Sequence, residues 1–465
     1  MPWLGKIPGH WRTGPGFAAF REKQVKNTGM REKQVLSLSY GKIVVKPLEK
    51  LHGLVPDSFE TYQIVDPGDI IIRSTDLQND WTSLRVGLVR DRGIITSAYL
   101  CFKTTGTLIP EYGYLLLHAC DLMKVFYGMG SGLRQNLSFL DFKRMLIFVP
   151  PPDEQAGIVH FLYHANRRID RFIRTKKKVI ALLNEQKQAI IHRAVTRGLD
   201  PNAPLKPSGM PWLGEVPRHW ELAKLRRICF YQEGPGLRTW QFTASGIQVI
   251  CVTNITADGI DLEAYGRYIS RDEYETQYRH FTVERNDLLL ASSGNSWGKI
   301  AEFTGDKTVI LNTSTIRLNP TRFGKITSDF LKLVLSAEYV RLQLQVLLTG
   351  SCQPNFGPSH LNRIMITFPA EKATQEAIVS TFRKEVAPLG ATITGLGREI
   401  ELLREYRTRL ISDIVTGKLD VREAAANLPD DPDAGSTDEP AGIAELDQEE
   451  AGDEEMETVS EETDA

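Results

Sequence analysis

The chain has 465 residues, 42% hydrophobic and 25% charged, with a formal net charge of −2. That length predicts two or three domains and that apolar content suffices for real cores. No apolar run reaches membrane-spanning length, which argues against a helical membrane protein, and the opening Met1-Pro-Trp-Leu-Gly does not have the pattern of a signal peptide.

The net charge conceals an asymmetry. Residues 430–465 carry sixteen Asp or Glu and no Lys or Arg, so removing them raises the rest from −2 to +14. A body that basic points to a polyanionic partner. The tail is poor in aromatics and reads as a disordered, solubilising segment. Cys101, Cys120, Cys229, Cys251 and Cys352 are odd in number and lack metal-type spacing. They are expected to be buried free thiols in the reducing cytoplasm.

In chain order, residues 12–40 are basic and loop-like, and Arg21-Glu-Lys-Gln-Val25 recurs ten residues on as Arg31-Glu-Lys-Gln-Val35. Strands are expected at 42–45, 62–65, 70–73, 86–89, 93–96 and 99–103, with Asp66-Pro-Gly-Asp69 as a turn. A helix is expected over 111–127, broken by the glycines from Gly128 to Gly132. A second globule repeats the outline. Its strands are expected at 248–253, 287–292, 298–303, 308–311 and 315–318, followed by a helix over 328–348.

Between the globules the apolar positions Ile158, Leu162, Ala165, Ile169, Phe172, Val179, Leu183 and Ile190 step by four and three, with Lys176 and Gln186 in the two missing places. That heptad predicts a long helix with a narrow seam for a helical partner. Pro150-Pro151-Pro152 blocks helix upstream, and Gly198 with Pro201 ends it downstream.

The rod returns 220 residues later. Leu402-Leu403 matches Leu182-Leu183, Val415-Thr416 matches Val195-Thr196, and Leu419-Asp420 matches Leu199-Asp200. Here Leu389, Ile393, Leu396, Ile400, Leu403, Leu410 and Ile414 form the seam. Pro388, Gly390, Gly395 and Gly397 predict a break over 388–397, with firm helix only from Arg398 to Val415. A second repeat runs at an offset of 209: Met1-Pro-Trp-Leu-Gly and Pro8-x-His10-Trp11 return as Met210-Pro-Trp-Leu-Gly and Pro217-x-His219-Trp220. The unit of aromatic motif, globule and long helix is therefore duplicated.

The fold class is α+β. A first globule spans 1–150 with its Trp motif at 1–11, a long helix 151–200, and a linker with the repeated motif 201–220. A second globule spans 221–369, a second long helix 370–422, and an acidic tail 423–465. The two helices are expected to form an antiparallel coiled coil.

Catalytic signals are weak. Phe126-x-Gly128-x-Gly130 is similar to the glycine turn of adenosylmethionine-dependent methyltransferases, but a helix rather than a strand precedes it, and Gln353-Pro-Asn-Phe356 is a poor version of their catalytic tetrapeptide. No Gly-x-x-x-x-Gly-Lys-Ser/Thr phosphate loop occurs. What remains is polar and basic. Arg73, Ser74, Asn79 and Arg85, then Arg134, Gln135 and Asn136, are candidate base readers in the first globule. Asn254, Arg267, Arg271, Ser293, Asn295 and Lys299, then Gln353, Asn355 and Arg363, are candidates in the second. Arg and Lys fork onto guanine, and Asn or Gln onto adenine. The basic run from Arg167 to Lys178 is either a solvated helix face or a phosphate contact.

Pro151-Pro152-x-x-Gln155, Leu182-Leu-x-Glu-x-Lys187, Ala194-Val-Thr-Arg-Gly-Leu-Asp200, Pro207-Ser-Gly-Met-Pro-Trp-Leu-Gly214, Gly132-Leu-Arg-Gln-Asn136 and Ile411-x-x-Ile-Val-Thr-Gly-Lys-Leu-Asp420 together carry a family resemblance. The chain up to about residue 422 resembles the specificity subunit of type I restriction-modification systems. The resemblance implies two target-recognition domains, each reading half of a split asymmetric site in double-stranded DNA, with the helices as a ruler between them. It implies no catalysis and no cofactor in this subunit. Two methyltransferase subunits would methylate adenine with adenosylmethionine, and restriction (motor–nuclease) subunits would use ATP and Mg2+. Phe161, Phe172, Ile180 and Ile191 are the expected docking residues for such partners. The alternative reading is a self-contained adenosylmethionine-dependent DNA methyltransferase.

Overall fold

The computed structural model describes residues 7–47, 58–78, 80–129, 136–210, 212–256, 259–294, 296–321, 324–347 and 355–429. The chain divides into two units. One holds the chain up to Lys176 and again from Gly397, and the other holds Lys177–Leu396.

In the first unit, two four-stranded sheets carry the core. Phe20–Glu22, Leu100–Thr104, Ile70–Ile72 and Val86–Leu88 pair antiparallel in that order. Lys42–Lys46, Val35–Ser39, Gly93–Ile95 and Gln63–Val65 form the second sheet, with Val35 and Ile94 in parallel register. Ile70–Ile72 is buried throughout, as its uninterrupted β-branched run requires. Helix Pro110–Leu122 starts with Pro at its first turn, where no backbone donor is needed. It ends at Met123, and Lys124 turns left-handed (φ 57) into a short 3-10 segment, Val125–Gly128. Strand Arg12–Pro15 pairs with Leu146–Val149. The loop expected over 12–40 therefore contains three strands. Charged residues within them, such as the exposed Arg21 and the half-buried Glu22, hid the alternation.

The second unit repeats the order of the first unit's first sheet: first, last, then the middle pair. Cys229–Glu233, Thr315–Pro320, Leu288–Ala291 and Ile300–Glu302 form one sheet. Phe242–Thr243, Arg267–Ile269, Ile247–Ile250 and Val309–Leu311 form the other, with Ile247–Ile250 and Val309–Leu311 parallel. The single helix expected over 328–348 is two, Ser328–Leu335 and Glu338–Leu347. Glu221–Lys224 pairs with Met365–Phe368 as Arg12–Pro15 does with Leu146–Val149.

The first long helix runs Pro152–Thr196 and the second Lys372–Val415. The expected break at 388–397 is absent, although Pro388 lies inside. The helix keeps its path because its seam is apolar on both sides of the proline, with Val386 and Ile400 buried. Thr392 Oγ1 also donates to the Pro388 carbonyl at 2.8 Å.

Within the first unit, Ile158, Leu162 and Ile169 share a core with Leu410, Ile411, Ile414 and Val415. Asp170 pairs with Arg407 and Lys176 with Glu399. Within the second, Ile191, Ala194 and Val195 share a core with Ile378 and Val379, and Arg193 pairs with Glu385. The seam of the first helix departs from expectation after Ile169. Ile173 packs against the core, whereas Phe172 and Val179 are 46% and 38% exposed. Two consecutive steps of four, Ala165 to Ile169 to Ile173, let a 3.6-residue helix recover the phase that a strict seven-residue repeat loses.

Cys101, Cys120, Cys229 and Cys251 are buried free thiols, as expected, and Cys352 lies outside the described residues. Burial pushes the Cys101 and Cys229 thiols up to about 12. Among the described residues no helix is long and apolar enough to cross a membrane.

Candidate nucleic-acid interface

Each unit draws one loop from the middle of its sheet and one from a point some sixty residues later into contact. In the first unit, Ser74 lies at the start of the loop that follows Ile70–Ile72, and its carbonyl accepts from Leu137 N–H at 2.8 Å. Asn136 Oδ1 accepts from Asp76 N–H at 3.2 Å. In the second unit, the Ser292 carbonyl accepts from Phe356 N–H at 3.0 Å, and Ser293 bridges to Asn355. The expected candidates Ser74 and Asn136 thus lie on loops held together, and so do Ser293 and Asn355.

Arg85 does not belong to that surface. It is fully buried. Its Nε donates to Tyr127 Oη at 2.9 Å, and its terminal nitrogens donate to the carbonyls of Arg73, Thr75, Asp76 and Asp80 at 2.7–3.2 Å. A guanidinium has five donors, and here they fold the loop that presents Arg73. The arginine expected to read a base instead shapes the loop that carries Arg73. Asn254 is corrected in the same way. It is fully buried, accepts from Cys251 N–H and donates to the Asp261 and Tyr265 carbonyls, which closes the 251–265 loop. Ser74 is also buried, donating to the Ala98 carbonyl at 3.1 Å.

The remaining candidates lie at or near the surface. Arg73 has 37% of its side chain exposed and a loose 3.4 Å pair with Asp80. Burial opposes the Asp80 charge. Hydrogen bonds from Ser83 and the charges of Arg85 and Arg73 more than offset this and hold its carboxyl below the usual range. Asn136, Arg271, Lys299, Asn355 and Arg363 are exposed. Lys299 Nζ donates to Ser296 Oγ at 3.0 Å. Arg267 lies over the Phe242 and Tyr265 rings at 4.8 and 5.4 Å, which fixes its plane. Asn79, Arg134, Gln135, Asn295 and Gln353 lie outside the described residues.

Two aromatic side chains are not found by the sequence pattern. Trp81 is 54% exposed, its ring tilted over that of Tyr127 at 4.5 Å, and Trp240 is 80% exposed. A tryptophan flanked by polar residues in a loop was the available signal, and exposed tryptophans are frequent contact residues. The long helices add exposed apolar side chains, Phe172, Val179 and Leu182 on the first and Leu402 and Tyr406 on the second. Of the four expected docking residues, Phe172 is exposed, Phe161 and Ile180 are half-buried, and Ile191 is 2% exposed inside the second core. Ile191 is therefore a core residue and is not available to a partner.

Gly128 follows a helix and a 3-10 turn, so it does not sit after a strand as a cofactor-binding glycine turn requires. Among the described residues no three His, Cys, Asp or Glu side chains cluster as a metal site.

The chain thus consists of two α+β units, each bringing separate polar loops together at its sheets, with long helices in both units. In sequence it is 24% identical over 366 residues to the type I restriction enzyme MjaVIII specificity subunit of Methanocaldococcus jannaschii, covering 76% of this chain and 81% of that protein. In fold it matches a chain solved in work on complex assembly and conformational transition of the type I R-M system. The TM-score is 0.60 at 13% identity, over 89% of this chain and 100% of that one. The HsdS subunit from Thermoanaerobacter tengcongensis gives a TM-score of 0.40 at 15% identity, over 89% of this chain and 98% of that one. No protein-family model matches. The chain thus has a type I restriction enzyme specificity subunit as its homologue and the fold of a type I R-M chain.

Proposed function

We propose that this chain is the DNA-reading, non-catalytic specificity subunit of a type I restriction-modification complex. Each unit reads one half of a split, asymmetric target in double-stranded DNA. The observation that carries the reading is the paired loops: Ser74 and Asp76 with Leu137 and Asn136 in one unit, Ser292 and Ser293 with Phe356 and Asn355 in the other, on sheets of the same strand order. Like sheets support descent from a duplicated unit, and unlike loop residues imply unlike half-sites. The antiparallel pairing of the long helices is supported by the ion pairs within each unit, in which rising numbers on one helix meet falling numbers on the other. Such a pair acts as a coiled-coil spacer between the halves.

Methyltransferase and restriction subunits supply adenosylmethionine, ATP and Mg2+ chemistry, so this subunit needs no cofactor. They dock on apolar side chains of the long helices, with Phe172 and the neighbouring Val179 and Leu182 as the principal contacts. The basic body, +14 before the acidic tail, supplies the phosphate attraction, and the complex works in the cytoplasm. The position of Gly128 after a helix weighs against a self-contained methyltransferase.

The test is single-molecule mapping of methylated adenines in the host genome with and without this gene. Loss of one split motif on deletion supports the reading. Adenosylmethionine binding by the isolated chain would favour the enzyme instead.

A further inference from the structure

Glu233 ends the strand Cys229–Glu233 and leaves the sheet beside the paired loops of the second unit. It stands opposite Ile316, and Ile316 stands opposite Leu290 on the next strand. Both outer strands are antiparallel to Thr315–Pro320, so they run the same way, and the chain exits after Glu233 at the same end as the Ser292–Ser293 loop. The backbone there is fixed. Gly234 N–H donates to the Thr315 carbonyl at 3.2 Å, and an added Cβ at Gly234 would overlap the Asn312 backbone.

The Glu233 carboxylate faces Gly357, which follows the loop-pair residues Asn355 and Phe356. An added Cβ at Gly357 would stand 3.6 Å from Oε2 and 3.9 Å from Oε1. The Gly357 N–H is already used, donating to His360 Nδ1 at 3.0 Å. Tyr231 shares the strand face with Glu233, and its hydroxyl donates to Asn362 Oδ1. Glu233 is half-buried, and among the described residues no hydrogen bond or ion pair reaches it. Burial pushes its carboxyl above the usual carboxylate range, and no neighbouring charge offsets this. Asp287, in the same sheet region, is by contrast bonded to Arg317 and Asn319. A desolvated carboxylate without a partner costs stability, and such groups gather at functional sites.

We propose that Glu233 is a base-reading residue of the second unit, its carboxylate accepting a hydrogen bond from the exocyclic amino group of a cytosine in the major groove. The proposal rests on the DNA-reading function argued above. Phosphates repel a carboxylate, so beside DNA it is suited only to a base edge that offers a donor. Cytosine N4 is such a donor. Adenine N6 is a poorer match, because the neighbouring N7 is an acceptor and an ionised carboxylate can only accept.

The test uses the full chain assembled with its methyltransferase subunits. Adenine methylation is measured on duplexes carrying each single base-pair change in the target found by mapping. Wild type should prefer C·G at one position of the half in which Asn355→Ala acts. Glu233→Ala should reduce that preference about tenfold and leave every other position as it was. Urea denaturation of Glu233→Gln separates reading from structure: removing an unpaired charge should not lower the midpoint, whereas a structural carboxylate would lower it. Unchanged preferences in Glu233→Ala, relaxation at a position that is not C·G, loss of the whole half, or a lowered Glu233→Gln midpoint each overturn the assignment while the specificity-subunit reading stands. Absence of any gene-dependent split target in the wild type overturns both.

Discussion

Gly417 lies directly under Trp11. An alanine Cβ at Gly417 would stand 2.4 Å from Pro8 Cδ and 3.0 Å from Trp11 Cη2, and the residue is left-handed at φ +72. Gly198 repeats the relationship with Trp220, with 2.9 Å to Cζ2 and φ +72. The first aromatic motif therefore caps the end of the second long helix, and the second motif caps the end of the first. Gly417→Ala and Gly198→Ala should each cost about 1–3 kcal/mol, through overpacking and a disfavoured backbone. Urea denaturation followed by tryptophan fluorescence measures this. Gly395→Ala is the control: nothing lies within 4 Å of its added Cβ, and helix propensity alone should stabilise by about 1 kcal/mol.

Gln155 and Gln375 hold the starts of the two long helices in the same way. Gln155 accepts from Ile109 N–H and donates to the Thr107 and Pro150 carbonyls. Gln375 accepts from Thr327 N–H and donates to the Lys325 and Pro369 carbonyls. Both are buried. Replacement by Leu keeps the volume but leaves buried backbone groups unpaired, at about 1–3 kcal/mol each. Either variant should lower the urea midpoint clearly, and Gln→Glu should be nearly as harmful because the amide donor is lost.

Much of this was legible from residues. The proline block and the Gln155 motif marked the helix start, and strands such as Ile70–Ile72 were visible as β-branched runs. Three features were not. The strand Arg12–Pro15 draws its register from Leu146–Val149, more than 130 residues away, and local pattern cannot report a distant partner. Helix Lys372–Val415 overrides a proline and three glycines because tertiary burial outweighs propensity. Arg85 and Asn254 were mistaken for readers because their side-chain types suit both tasks. Only burial distinguishes an arginine that binds backbone carbonyls from one that faces a base.

His118 makes stability depend on pH. It is buried, stacked on Tyr114 at 5.5 Å, and its Nδ1 has no hydrogen-bond partner. Burial, aided by the Arg407 charge, lowers its pKa to about 4. The unfolded chain takes up this proton near pH 6.5 and the folded chain only near 4. Stability contributed by the neutral imidazole is therefore full above about pH 6.5 and falls as pH drops toward 4. A tenfold difference in proton affinity between the folded and unfolded chain is worth about 1.4 kcal/mol. The loss therefore approaches about 3 kcal/mol by pH 4. His118→Leu should flatten that part of the urea-stability profile. An unchanged slope between pH 6.5 and 4.5 would refute the assignment.

On the proposed function, variants in the two loop pairs should separate reading from scaffolding. Asn355→Ala removes a polar side chain from the second unit's surface without emptying its core, and Asn136→Ala does the same in the first while also giving up its hydrogen bond from Asp76 N–H. If each touches one base pair, each variant should lose about 1–3 kcal/mol of discrimination at positions in one half of the target only. Arg85→Met behaves differently. It takes a donor from each of four loop carbonyls and from Tyr127, so Arg73 and its loop lose their position together. Recognition of that whole half should collapse and the first unit should become less stable, while the other half is read as before. Methylation mapping with each variant distinguishes the outcomes. Single-position relaxation identifies a reading residue, loss of an entire half identifies a scaffold residue, and simultaneous loss of both halves would contradict independent readers.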